Sequence, residues 1–136
     1  MYATFSGHAG PRLSLIGLAD QCYAAAHRAL EVGDLTSAER LFAVMLVSRP
    51  SDERGWLGLA FTAERRGAWR KAAAVYRIGC SIGTDPAPCH LGLGRVLARL
   101  GRTRDAERAL DEAERNTNDA ALLGAIGRER ILHDLH

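Results

Sequence analysis

The stretch DERGWLGLAFTAERRGAWRKAAAVY, from Asp52 to Tyr76, reads as two amphipathic helices meeting at Gly67. Trp56, Ala60 and Ala63 recur at i, i+4 and i+7 before the glycine, the spacing of one apolar helix face. Ala72 and Tyr76 follow the glycine by five and nine residues. A glycine that closes a helix takes left-handed backbone cheaply. The small residue early in the next helix then lets two helices approach closely, and the bulky one a turn later fills the gap beside it. Stepping 34 residues in either direction finds the same order: Gly33, Gly67 and Gly101; Ala38, Ala72 and Ala106; Phe42, Tyr76 and Leu110. Cys22, Ala26 and Ala29 precede the first glycine, and His90, Gly94 and Leu97 the third, at the same helical spacing. The sequence therefore predicts three helical hairpins, each with small residues at its crossing.

A 34-residue helix-turn-helix carrying Trp56, Leu59, Ala60, Gly67, Ala72 and Tyr76 in this order resembles the tetratricopeptide repeat. Pro50 closes the first unit where that pattern expects proline, the second unit ends in Gly83-Thr84-Asp85-Pro86, and the third in Asn118. The resemblance covers about residues 19 to 118. It implies an all-α fold of three hairpins (units about 19–52, 53–86 and 87–118) stacked as a short right-handed solenoid. Helices are expected over 15–31, 35–48, 52–66, 69–82, 86–100, 103–116 and 119–134. A repeat hairpin cannot bury its own outer face, so a capping helix is expected over 119–135. Asn118 is its expected N-cap, and Leu122, Leu123, Ile126, Leu132 and Leu135 are expected along its inner side. Residues 1–12, with Ser6, Gly7, Gly10 and Pro11, have no period and read as an irregular tail ahead of a single domain over 13–136.

The chain has 136 residues, 47% of them hydrophobic, with 18 basic against 16 acidic side chains and a formal charge of +2. That balance gives no field strong enough to make nucleic acid or anionic lipid the main partner. Cys22, Cys80 and Cys89 form no CxxC and leave an odd thiol, so reduced cysteines are expected. Without a long apolar run or a secretory leader pattern, the expected location is the cytoplasm, with no membrane insertion.

Constellations of enzymatic chemistry are missing from the sequence, and neither a catalytic residue, a metal nor a cofactor is expected. Gly92-Leu93-Gly94 falls inside a predicted helix with no strand before it, so its amides are used by the helix rather than offered to a phosphate. His133 and His136 stand i, i+3 without a completing ligand. His90 takes the crossing position that Trp56 holds one unit earlier, which suits a packed histidine. Asp111, Glu112 and Glu114 lie among Arg108 and Arg115 as a charged, solvated helix face.

Stacked hairpins curve, and the first helix of each unit lines the concave side. The fifth and ninth positions of each unit face that way: Tyr23 and His27, Leu57 and Phe61, Leu91 and Arg95, with Leu30, Glu64 and Ala98 a turn further on. Four of the six primary positions are Tyr, Leu or Phe. An apolar concave face suits an extended peptide with spaced hydrophobic side chains. The alternative is that Leu57, Phe61 and Leu91 are core, packing on one another in so short a stack. The paired Lys, Arg and Asn with which repeat modules hold a C-terminal carboxylate for heat-shock chaperones are missing.

Asp52 through Ala60, with Gly67-Ala68-Trp69, Ala72, Tyr76, Gly79, Asp85-Pro86, His90 and Gly101, resembles the class II chaperones of bacterial type III secretion. That family has three such repeats and a final helix, the layout seen here from about residue 19 onward. The resemblance implies a cytoplasmic chaperone that holds an extended segment of a hydrophobic translocator or apparatus subunit in its concave groove, and a possible homodimer. A general tetratricopeptide adaptor between two proteins is the other function that the repeat implies.

Overall fold

The computed structural model describes the backbone of residues 15–135 and the side chains of residues 17–135. The irregular tail expected over 1–12 lies outside the described residues, as does His136. Seven helices follow in order: α1 (Leu15–Glu31), α2 (Leu35–Ser48), α3 (Glu53–Arg65), α4 (Trp69–Cys80), α5 (Ala87–Arg99), α6 (Thr103–Arg115) and α7 (Ala120–Leu132). No strand occurs among the described residues. Each helix falls within three residues of its expected bounds. Consecutive helices pack as hairpins α1·α2, α3·α4 and α5·α6, and each hairpin stacks on the next.

Gly33, Gly67 and Gly101 all have φ near +80°, at 80°, 77° and 77°. Each ends a first helix, where a residue with a Cβ would be strained. Asp34 and Asp52 cap α2 and α3, their carboxylates accepting from the backbone N–H of Ser37 and of Arg54, each at 3.1 Å. The cap of α7 is Asp119, which accepts from the Ala121 N–H at 2.9 Å, and not the expected Asn118. Trp56 donates its indole N–H to the Pro50 carbonyl at 2.8 Å, tying the end of the first unit to the start of the second.

Between units the packing repeats with the same period. A Cβ on Gly58 would lie 2.1 Å from the Phe42 ring, and one on Gly92 would lie 2.3 Å from the Tyr76 ring. The bulky residue of each second helix is thus seated on a glycine of the next first helix. At the third junction the residue 34 positions beyond Gly92 is Ile126, and it packs directly with Leu110, Ala113 and Leu91. Leu122, Ala125 and Leu135 join that cluster. Leu123 and Leu132, expected on the same inner side, are instead 38% and 73% exposed. Because α7 is apolar around most of its circumference, periodicity alone does not select its inner face. Arg130 fixes that face from outside the core, donating to Asp111 at 2.9 Å and to Glu114 at 3.0 Å on α6.

Cys22 and Cys89 are buried, Cys80 is half-buried, and none is bridged. Burial pushes the Cys89 thiol up to about 12 and the Cys80 thiol up to about 11, so both are protonated and poor nucleophiles. No helix among the described residues is long and apolar enough to cross a membrane.

Candidate functional site

Tyr23 and His27 stand one turn apart on α1, Leu57 and Phe61 one turn apart on α3, and Leu91 and Arg95 one turn apart on α5. The stacking brings all six together in the wall of one open cavity of about 390 Å³. Phe42 and Tyr76 reach the same cavity from the second helices, across Gly58 and Gly92. These two glycines therefore do double duty: they let the hairpins stack, and they admit an aromatic ring to the concave side.

The wall is apolar over most of its length. Tyr23, Leu57 and Phe61 are half-buried, while Leu91 is only 8% exposed and shares its packing with Leu110 and Ile126. Leu91 is thus chiefly a core residue that also forms part of the cavity wall. At one end the Tyr23 and His27 rings meet edge to face, 4.5 Å between centroids, and the Arg54 guanidinium lies 4.7 Å from the Tyr23 ring centroid. Arg54 is held there by two carboxylates, donating to Asp52 at 2.7 Å and to Asp20 at 2.9 Å. Arg65 stands 5.9 Å from the Phe61 ring centroid, a weaker contact of the same cation–π kind.

At the other end sits a half-buried ion pair. Arg95 donates from Nε and Nη2 to the two oxygens of Glu64, the second bond measuring 2.9 Å. Tyr76 donates its hydroxyl to Glu64 Oε1 at 2.8 Å and accepts from Arg95 Nη2 at 3.3 Å. The Glu64 side chain is 11% exposed, so the pair is largely removed from water, where a two-pronged Arg–carboxylate contact is geometrically demanding. Burial works against the Arg95 charge, but the hydrogen bonds and charge of Glu64 outweigh it and hold its pKa above the ordinary range. Burial first, and the Glu64 carboxylate second, raise Tyr76, so its phenol stays protonated. The positive charge of Arg95 is therefore matched within the wall. What faces the open cavity is a mostly apolar surface with charged groups at its margins: Arg54 and Arg95 are paired with carboxylates, and Glu31 and Arg65 also line it.

The sequence reading placed Glu64 near this surface but missed its partnership with Arg95 and Tyr76, and it missed Arg54. A Glu–Arg separation of 31, one turn short of the repeat period, was the available signal for the first. The separation of exactly one period between Asp20 and Arg54 was the signal for the second. Gly92 and Gly94 seat Tyr76 and Leu110 side chains and lie within α5, leaving no phosphate loop there. His90 is half-buried, its Nδ1 has no partner, and burial lowers its pKa. Among the described residues no group of three or more His, Cys, Asp or Glu side chains is placed to hold a metal ion.

No family model matches the sequence, and no curated protein matches it. Solved structures do. The fold is a tetratricopeptide-type helical repeat. The type III secretion translocator chaperone SycD of Yersinia enterocolitica superposes with a TM-score of 0.78 at 21% identity, over 90% of this chain and 85% of that one. PcrH, in complex with the chaperone binding region of PopD, gives 0.77 at 20% identity, over 90% of this chain and 92% of that one. A thermophilic tetratricopeptide protein of Thermus thermophilus gives 0.72 at 22% identity, over 84% of this chain and 64% of that one. At such identities the likeness is one of fold.

Proposed function

We propose that this chain is a cytoplasmic chaperone that holds an extended, hydrophobic segment of a type III secretion client, a translocator or an apparatus subunit, in its concave cavity. The observation that carries the reading is the continuous apolar wall made by Tyr23, Leu57, Phe61 and Leu91, left open beside a self-neutralised polar end. Such a wall stabilises alternate apolar side chains of an extended peptide and offers little to a charged tail. Holding the segment keeps it out of water, where it would otherwise aggregate. The fold likeness to SycD and PcrH, the latter with a bound client region, supports the same reading. A general adaptor is the second reading, favoured by the likeness to the thermophilic repeat protein.

Co-expression with the hydrophobic translocators of a type III secretion system from the same genome separates the two. The proposal expects a translocator that is insoluble alone to be recovered in a soluble complex with this chain. If each translocator stays insoluble while the chain remains folded and unbound, the adaptor reading stands instead.

A further inference from the structure

Away from the concave cavity, α4, the end of α5 and the turn into α6 enclose a second cavity of about 400 Å³. None of its lining residues is shared with the first. Its floor is Ala73, Leu97 and Leu100, and its rim is Arg70, Arg77 and Arg102, with no acidic residue in the wall. Arg102 is paired, donating to Asp105 at 2.7 Å. Arg70 and Arg77 stand two turns apart on one face of α4, are exposed, and have no side-chain hydrogen bond or ion pair with another described residue. Three guanidiniums elsewhere are matched across a unit boundary: Arg54 by Asp20, Arg66 by Glu39 and Arg130 by Asp111 and Glu114. An adjoining cavity shares Arg77, Leu97 and Arg102 and adds His90, whose Nδ1 is unpaired, with Arg108, Asp105 and Glu112.

From this arrangement we infer that the α4–α5 face is a docking surface for an acidic protein segment, whose carboxylates pair with Arg70 and Arg77 while an aliphatic side chain occupies the Ala73–Leu97–Leu100 floor. Two-pronged guanidinium–carboxylate contacts supply the charge match, and the apolar floor supplies the desolvated anchor that such contacts need to be specific. A nucleic acid would use the arginines but leave the apolar floor empty. The inference holds whatever occupies the concave cavity, since the two surfaces have no residue in common.

The probe is a fluorescein-labelled peptide of alternating Glu and Leu, about a dozen residues long, titrated with the full chain by fluorescence anisotropy. The same peptide with Gln for Glu should bind at least about tenfold more weakly, and Arg70→Glu/Arg77→Glu should weaken the acidic peptide by a similar factor. Circular dichroism checks that the variant is folded, and Arg70→Gln/Arg77→Gln gives the same readout without charge reversal. Inorganic phosphate and a single-stranded oligonucleotide at equal negative charge should displace the peptide poorly. Undiminished binding to both arginine variants would overturn the inference, and so would efficient displacement by phosphate or oligonucleotide. Loss of binding on Leu57→Gln with retention on the arginine variants would also overturn it, by placing the peptide in the concave cavity.

Discussion

Replacing Gly92 with alanine tests the stacking principle at the junction that builds the cavity. A Cβ there would sit 2.3 Å from Cζ, 2.4 Å from Cε1 and 2.8 Å from the hydroxyl of Tyr76. The ring cannot swing aside cheaply, because Tyr76 is 1% exposed and its hydroxyl is bonded to Glu64 and Arg95. Overpacking of this kind costs roughly 1–3 kcal/mol, and misaligning the Tyr76 hydroxyl costs about 1 kcal/mol more. Alanine regains roughly 0.5–1 kcal/mol of helix propensity over glycine. The net expectation is a loss of about 1–3 kcal/mol, or roughly 3–10 °C in melting temperature for a domain of this size. Gly127, in α7, is the control, because a Cβ there would meet nothing within 4 Å. Gly127→Ala should therefore stabilise by roughly 0.5–1 kcal/mol. Urea unfolding of both variants beside the parent measures the pair. If Gly92→Ala matches the parent, or if the two alanines shift stability in the same direction, the ring-on-glycine account of the stack is wrong.

Three further outcomes are expected. Ala72 is fully buried in the central core cluster, so Ala72→Leu should lower stability by roughly 1–3 kcal/mol, read by thermal unfolding. Ile126 is the apolar contact through which α7 covers Leu110 and Leu91, so Ile126→Ala should cost roughly 2–4 kcal/mol and expose a surface that binds a hydrophobic dye. Burial lowers the pKa of His90 in the fold, against a smaller opposing effect of Glu112, so the unfolded chain takes up the proton first. Its contribution is full above the ordinary histidine value near 6.5 and is lost as pH falls through and below it. The melting temperature should drop between about pH 7.5 and about pH 5.5, and less so in His90→Gln.

Most of the fold was legible because each register of the repeat is carried by a residue type with one mechanical use. Gly33, Gly67 and Gly101 are needed for left-handed backbone, and Ala38, Ala72 and Ala106 for close approach. The six concave positions followed from the same period, since fifth and ninth residues of a first helix share a face. What the period could not supply were contacts that join three helices at once. Glu64, Tyr76 and Arg95 lie on α3, α4 and α5, and each alone reads as an ordinary surface charge or core ring. The inner face of α7 was half legible for a different reason. Its apolar residues surround the helix, and the choice of Ile126 over Leu123 and Leu132 is made by Leu110 and by the Arg130 ion pairs.

The most direct test of the central claim uses Leu57→Gln and Phe61→His, each measured for thermal unfolding alone and for retention of a translocator client in a pull-down at a temperature where every variant is folded. Both side chains are half-buried in the cavity wall, so the account predicts small losses of stability. It also predicts binding weakened by roughly 1–3 kcal/mol for each anchor, about 5- to 150-fold in Kd. Strong destabilisation with undiminished client retention would contradict it and assign Leu57 and Phe61 to the core alone.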